Sequence, residues 1–425
     1  MSKPIIYQVL TRLWKDGKMS SFDQTSFDYL HSLGISHIWY TGIVRHASGE
    51  AFVKGDPGCP YSIADYYDIN PYLADNPEDR MGEFEDLVSK THEAGFKVII
   101  DFIPNHVSPT YSDGFGGIPT CGWHDYDWTD TDKIDYCKPE TWEKMYQIVR
   151  FWALKGVDGF RCDMVELVPI DFFRWLTGRI KAEFPNIVFV AEVYEKNNYR
   201  SYVEHAGFDW LYDKSGLYDE LKAVMLWGKT ARAITWNWQM LGDLQRHMLN
   251  FLENHDEQRL ASHEFAGCAE NGYAALAVGA LLNAAPYMIY FGQEIGEDAS
   301  ESDNCRTSIF NWTKRFWPGA AGKSSVLDIY REVLGIAAQA GEDTATYDLC
   351  YCQNGNGFDQ DRHFAFLRHF PDGRTLLVFC NFAGTEAKAS VIIPDHAIEW
   401  LALPDTTPRI VQTRTEARGY SLYFL

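Results

Sequence analysis

Four short runs of β-branched and aromatic residues each end in side chains that can move protons or bind sugars. They close as Asp101-Phe102-Ile103-Pro104-Asn105-His106, Gly159-Phe160-Arg161-Cys162-Asp163, Ala191-Glu192-Val193-Tyr194 and Glu253-Asn254-His255-Asp256. Side chains alternate faces along a strand, so Arg161 and Asp163, two apart, project the same way. A guanidinium beside a carboxylate keeps it ionised by charge and by hydrogen bonding. Alone, such a pair reads as a structural salt bridge, Glu192 as its partner, and His255-Asp256 as a helix cap. Together, Asp163, Glu192 and Asp256 with His106, His255 and Arg161 form a set suited to glycoside cleavage. Two carboxylates about 5–5.5 Å apart across a glycosidic bond are what a retaining mechanism needs. One attacks the anomeric carbon and the other protonates the leaving oxygen, while histidines and a third carboxylate grip hydroxyls.

Such residues converge only if the strands that carry them are neighbours. Strand-like runs lie at Ile5–Leu10, His37–Ile43, Lys97–Ile103, Val157–Cys162, Ile187–Val193, about Trp210–Tyr212, Leu249–Leu252 and Tyr287–Phe291. Amphipathic runs alternate with them. Asp79–Ala94 stops at Gly95, Thr141–Leu154 at Gly156, and Asp171–Phe184 before Pro185, as helix ends require. Eight such units predict an α/β chain folded as a (β/α)8 barrel, whose strand C-termini share one pocket. Residues 1–106 and 139–340 are assigned to the barrel. A Gly-, Asp-, Tyr- and Trp-rich stretch, 107–138, is read as a short inserted domain shaping the site. Residues 341–425 carry strand signals at Arg362–Arg368, Thr375–Asn381, Ala387–Ile393 and Tyr420–Leu425 and no helix signal, which predicts an antiparallel β-sandwich.

With 38 basic and 59 acidic residues, the net charge of −21 argues against nucleic acid and anionic membrane as partners. No stretch is long and apolar enough to span a bilayer. Met1-Ser2-Lys3-Pro4 runs straight into a strand signal without a leader pattern. Nine cysteines without regular spacing read as free thiols of a reducing compartment, so the expected location is cytoplasmic.

The four strand-end segments resemble the four principal sequence regions of glycoside hydrolase family 13, the α-amylase family. Pro60 to Pro71 is similar to its loop after strand two, Asp130 to Tyr136 to the motif closing its inserted domain, and Ile289 to Glu294 to its strand eight. The resemblance implies Asp163 as nucleophile, Glu192 as general acid and then base, and Asp256 as transition-state stabiliser. It implies Arg161 holding Asp163 ionised, His106 and His255 on sugar hydroxyls, and Tyr61 stacked under the sugar at the cleavage point. Asp101 and Tyr194 join the expected substrate-binding set. The implied activity is retaining hydrolysis of α-1,4-glucosidic bonds in starch-derived maltooligosaccharides. An α-glucosidase, a cyclomaltodextrinase or a transglycosidase is the alternative on the same scaffold. Survival of all three carboxylates argues against a non-catalytic sugar-binding homologue.

Two departures stand out. Ser62 follows the stacking tyrosine where chain-end-clamping α-glucosidases often carry Asp, which favours an internal site. Glu166-Leu167 stand where many α-amylases carry Lys-His, which weakens the expectation of that calcium site. No cofactor is required. Asn105, with aspartates of the insertion such as Asp125, Asp127 and Asp130, is the candidate ligand set for Ca2+, which wants several oxygens. Trp123, Trp128, Trp236 and Trp238 are candidates for further sugar subsites or for packing, and Trp236-Asn237-Trp238 reads as a loop.

Overall fold

The computed structural model describes residues 2–302, 304–322 and 324–425. Eight strands close into a barrel in which spatial neighbours follow chain order: β1 (Ile5–Leu10), β2 (His37–Thr41), β3 (Lys97–Phe102), β4 (Gly159–Cys162), β5 (Val188–Ala191), β6 (Trp210–Tyr212), β7 (Met248–Phe251) and β8 (Tyr287–Tyr290). The ladders β1–β2–β3–β4–β5–β6 and β7–β8 are parallel. Parallel strands covered on both faces read as continuous apolar runs, and β1, β4, β7 and β8 are buried at every position.

Around the strands lie α1 (Gln24–Ser32), for which no sequence signal was read, and α2 (Arg80–Glu93), α3 (Pro139–Leu154) and α4 (Ile170–Glu183), which begin and end close to theirs. In α3 the buried residues Met145, Ile148, Val149 and Trp152 repeat at helical spacing and form one inward stripe. Pro139 opens it where a missing N–H costs nothing, and Gly156 follows its end at φ +90°. The inserted stretch is tied at its base by a two-stranded antiparallel ribbon, His106–Val107 with Asp132–Lys133. A second ribbon pairs Val44–His46 with Ile63–Ile69, so most of the Pro60 to Pro71 stretch expected as a loop is strand, with Tyr61 and Ser62 just ahead of it.

The chain packs as two compact units, residues 6–212 with 307–322, and residues 1–5 with 213–306 and 323–425. The first holds β2 to β6 and α1 to α4; the second holds β7, β8 and the C-terminal sheets. Those are a four-stranded antiparallel sheet, β9 (Ala345–Asp348), β10 (His363–His369), β11 (Thr375–Asn381) and β14 (Tyr420–Phe424), and a pair, β12 (Ala387–Ile392) with β13 (Ile410–Thr415). The expectation of a helix-free C-terminal region is corrected by a short helix at Asp395–Trp400. Pro394 precedes it, and Ala397 and Ile398 supply a minimal buried face that is too short for a periodic signal. β9 and β13 carried no clear sequence signal: β9 is half-buried at every position, and β13 puts mostly polar side chains outward.

Candidate active site

β4 positions the arginine. Gly159 opens the strand because a Cβ there would meet Val188 Cγ2 at 2.6 Å, so only glycine lets β4 and β5 close up. In register, Arg161 pairs with Asp101 of β3 and with Val190 of β5. Its side chain is 1% exposed, and a buried guanidinium is tolerable only with charged partners. It has three: Nη1 donates to Asp163 Oδ1 at 2.7 Å, Nη2 lies 2.9 Å from Glu192 Oε2, and Nη1 lies 3.6 Å from Asp101 Oδ1. Burial alone would weaken its hold on the proton. The charges of Glu192 and the other facing groups reverse that, and its pKa is raised well above the ordinary value. Trp39, Tyr61 and Tyr212 surround the cation with ring centroids 5.6, 5.3 and 5.6 Å from Cζ.

Glu192 is fixed at both oxygens. Oε1 accepts the Tyr194 hydroxyl at 2.8 Å, and Oε2 accepts the Met164 backbone N–H at 2.8 Å. Met164 adopts the left-handed conformation, φ +43°, immediately after Asp163. A non-glycine residue there costs conformational energy, and such strain is retained where surrounding structure demands it. Glu166 then binds the loop after β5: it accepts the Tyr194 N–H at 2.8 Å, the Glu195 N–H at 3.2 Å and the Asn198 side-chain amide at 3.0 Å. The segment flagged as a departure is therefore a brace under Tyr194.

Asp101 accepts from Trp39 Nε1 at 3.0 Å and from the Tyr61 hydroxyl at 3.3 Å, so it links the aromatic rings to the arginine. His106 is buried, its Nδ1 lies 3.2 Å from Asn105 Nδ2, and Trp128 packs 5.3 Å away. Burial is the main influence on it and moves its pKa down from 6.5 to about 4, so it is a neutral imidazole at physiological pH. Ser62 is fully buried and donates to the Asp130 carbonyl at 2.5 Å, which ties the Tyr61 loop to the insertion.

In the second unit, Asn254 Oδ1 accepts the N–H groups of Asp256 and Glu257 at 2.9 and 3.0 Å, turning the chain just beyond β7. His255 Nε2 lies 3.0 Å from Asp256 Oδ2; the histidine is buried and the carboxylate half-exposed. Below them Arg259 pairs with buried Glu253 at 3.0 Å and also donates to the Phe291 carbonyl at 2.8 Å. The turn that carries Asp256 is thereby anchored to the end of β8.

The expected calcium ligand Asn105 is already engaged. Its Oδ1 accepts from Lys133 Nζ at 2.8 Å and its Nδ2 donates to Asp125 Oδ2 at 2.9 Å. Among the described residues no group of three or more His, Cys, Asp or Glu side chains is placed to hold a metal ion. With an ammonium among these oxygens, the donor set does not fit Ca2+.

The profile described as "Alpha amylase, catalytic domain" matches residues 23–115 and 123–364. The chain belongs to the α-amylase family of glycoside hydrolases. As a member it is 24% identical over 353 residues to an α-amylase of Dictyoglomus thermophilum, covering 73% of this chain and 67% of that protein. It is 24% identical over 394 residues to a cyclomaltodextrinase of Thermoanaerobacter pseudethanolicus, covering 83% of this chain and 62% of that one. The chain thus spans about two thirds of the length of these relatives. Among solved structures, a noncanonic maltogenic α-amylase of Thermotoga neapolitana superposes with a TM-score of 0.73 at 21% identity, covering 99% of this chain and 96% of that one, which shows the fold.

Among the sequence-picked residues, the first unit brings Tyr61, Asp101, Arg161, Asp163, Glu192 and Tyr194 into one connected network, and the second pairs His255 with Asp256. Trp236, Asn237 and Trp238 lie in a helix, Arg232–Leu241, not in a loop; the helix buries Ala233, Ile234, Asn237 and Leu241 and leaves Trp236 exposed. Sequence reasoning missed Trp39, Tyr212 and Lys133. Tyr212 closes its barrel strand, the position that picked out Asp101 and Glu192, so its place was an available signal; Trp39 lies in the middle of β2, where no strand-end signal reaches. Lys133 had none: it lies in the strand of two residues that closes the inserted stretch.

Proposed function

We propose that this chain hydrolyses α-1,4-glucosidic bonds of maltooligosaccharides with retention of configuration. Asp163 attacks the anomeric carbon while Glu192 protonates the leaving oxygen; Glu192 then takes a proton from water as the glycosyl–enzyme is hydrolysed. Asp256 stabilises the oxocarbenium-like state, and His106 and His255 bind hydroxyls of the reacting sugar, which Tyr61 underlies. The observation that carries this reading is the single guanidinium of Arg161 between Asp163 Oδ1 and Glu192 Oε2 at 2.7 and 2.9 Å. Carboxylates that share one guanidinium suit the close spacing of a retaining pair, about 5–5.5 Å, over the roughly 6.5–9.5 Å of an inverting one.

Burial of Ser62 against the insertion supports an internal cutting mode, because nothing charged at that position clamps a chain end. A maltooligosaccharide blocked at its non-reducing end tests this: the blocked substrate is expected to be cut, and cleavage confined to unblocked chains would exclude it. The likeness to a cyclomaltodextrinase keeps ring-opening as a second reading, separated by comparing rates on β-cyclodextrin and on maltoheptaose. The net charge of −21 supports a neutral substrate over nucleic acid or anionic membrane. Among the described residues no helix is long and apolar enough to cross a membrane. Nine free thiols, five of them buried, support a reducing cytoplasmic location, which fractionation of the native host tests.

A further inference from the structure

Lys133 Nζ lies among three oxygens from three separate parts of the first unit: Asn105 Oδ1 at 2.8 Å, Asp125 Oδ2 at 2.8 Å and the Leu167 carbonyl at 3.3 Å. An ammonium carries three N–H donors, and these three acceptors match them in number and distance. With Nζ seated among them at 2.8–3.3 Å, these oxygens have no room for Ca2+, which needs oxygens at roughly 2.3–2.6 Å. The position of the lysine is fixed from both sides. Lys133 pairs with His106 in the ribbon, its N–H donates to the Trp123 carbonyl at 2.8 Å, and the next N–H, of Ile134, donates to the Asn105 carbonyl at 2.9 Å. The Trp123 ring stands 5.4 Å from Nζ. Side-chain exposure is 17% for Lys133 and 14% for Asp125, so water screens the pair weakly. Burial by itself raises the Asp125 pKa; hydrogen bonds from Lys133 and Asn105 outweigh it and leave the carboxyl below its ordinary value.

We infer that the Lys133 ammonium is a built-in cation, doing in this protein the cross-linking that a divalent ion would do between the end of β3, the inserted stretch and the segment that follows Asp163. Leu167 follows Glu166, the brace of Tyr194, and Asn105 precedes His106, so the staple adjoins both along the chain. Two consequences follow. The native chain keeps its order without a divalent ion, and removing the ammonium leaves converging oxygens that recruit one. The inference concerns cohesion and does not rest on the reaction proposed above, so failure of the one is read separately from failure of the other.

The test is thermal melting of the full chain in excess chelator and in millimolar Ca2+, for the native protein and for Lys133→Ala. The native melting temperature is expected to be the same in both solutions. Lys133→Ala is expected to melt several degrees lower in chelator and to recover part of the loss in Ca2+. It should also show tryptophan-sensitised Tb3+ luminescence that the native protein lacks, with Trp123 and Trp128 in the same inserted stretch. Native protein that loses stability in chelator and regains it with Ca2+ would overturn the inference. So would a Lys133→Ala that melts like the native chain, or one equally weakened with and without Ca2+. If Lys133→Ala fails to fold, Lys133→Gln is taken through the same measurements, and the native result stands as a test on its own.

Discussion

The Tyr194 hydroxyl donates to Glu192 Oε1 at 2.8 Å, and the backbone N–H of the same tyrosine is held by Glu166 Oε2 at 2.8 Å. The proposed acid catalyst is thus oriented by a residue two places along the chain, which is itself braced from the segment that follows Asp163. A hydrogen bond to a charged group is worth about 1.5–3 kcal/mol, so Tyr194→Phe should lower kcat by roughly 10- to 100-fold with little change in melting temperature. Steady-state kinetics on maltoheptaose and a melting curve decide this; unchanged kcat would make the contact incidental.

Glu166→Ala should act through the same tyrosine. If so, the effects of Glu166→Ala and Tyr194→Phe on kcat will be strongly non-additive, with a coupling above about 0.5 kcal/mol in a double-mutant cycle. Additive losses would mean that Glu166 merely tidies an exposed loop.

Arg161→Lys tests whether charge alone suffices. An ammonium is a point charge and cannot reach Asp163 and Glu192 along two arms as the guanidinium does. Breaking one arm of a buried ion pair costs about 3–5 kcal/mol, and we expect kcat/KM to fall at least 100-fold and the protein to melt lower. A lysine variant with near-native kcat would refute a bridging role.

Stability should decline on acidification between pH 6.5 and 4. His106 binds a proton at about 4 when folded against an ordinary 6.5, so in that window the unfolded chain binds more protons and stability rises with pH. His37 and His46, both moved down to about 4 chiefly by burial, add to the same slope. Buried Glu253, raised chiefly by burial from 4.5 to about 7, works the other way and loses stability as pH rises towards 7. Urea melts at pH 7 and pH 4 should show that His106→Asn shrinks the acid-side loss by about 3 kcal/mol. An unaltered difference between the two pH values would show that His106 is already charged in the folded state.

The barrel was legible because strand runs alternate with helix runs that stop at Gly95, at Gly156 and before Pro185, while the sixth run, Trp210–Tyr212, gave only a weak signal at three residues. Arg161, Asp163 and Glu192 were legible as neighbours because the ends of adjacent parallel strands share one end of the barrel, although each taken singly also fits a structural salt bridge. What the sequence hid is short or non-periodic. β13 is mostly polar outward, and the helix at Asp395–Trp400 lacks the length to show a period. Trp236 and Trp238 looked like loop residues, since two large aromatics flanking an asparagine obscure the helical stripe of Ala233, Ile234, Asn237 and Leu241. Glu166 could be flagged from sequence as a substitution, but its partners, the N–H groups of Tyr194 and Glu195, are backbone atoms that no side-chain pattern announces.

The central claim is that Asp163 becomes covalently glycosylated. A fluorinated α-glucosyl or α-maltosyl fluoride that slows breakdown of the intermediate, followed by proteolysis and mass spectrometry, reads this directly. One sugar adduct is expected, on the peptide that contains Asp163, and none in Asp163→Asn. An adduct on the Glu192 or Asp256 peptide, or turnover that releases the β-anomer with no adduct at all, would contradict it.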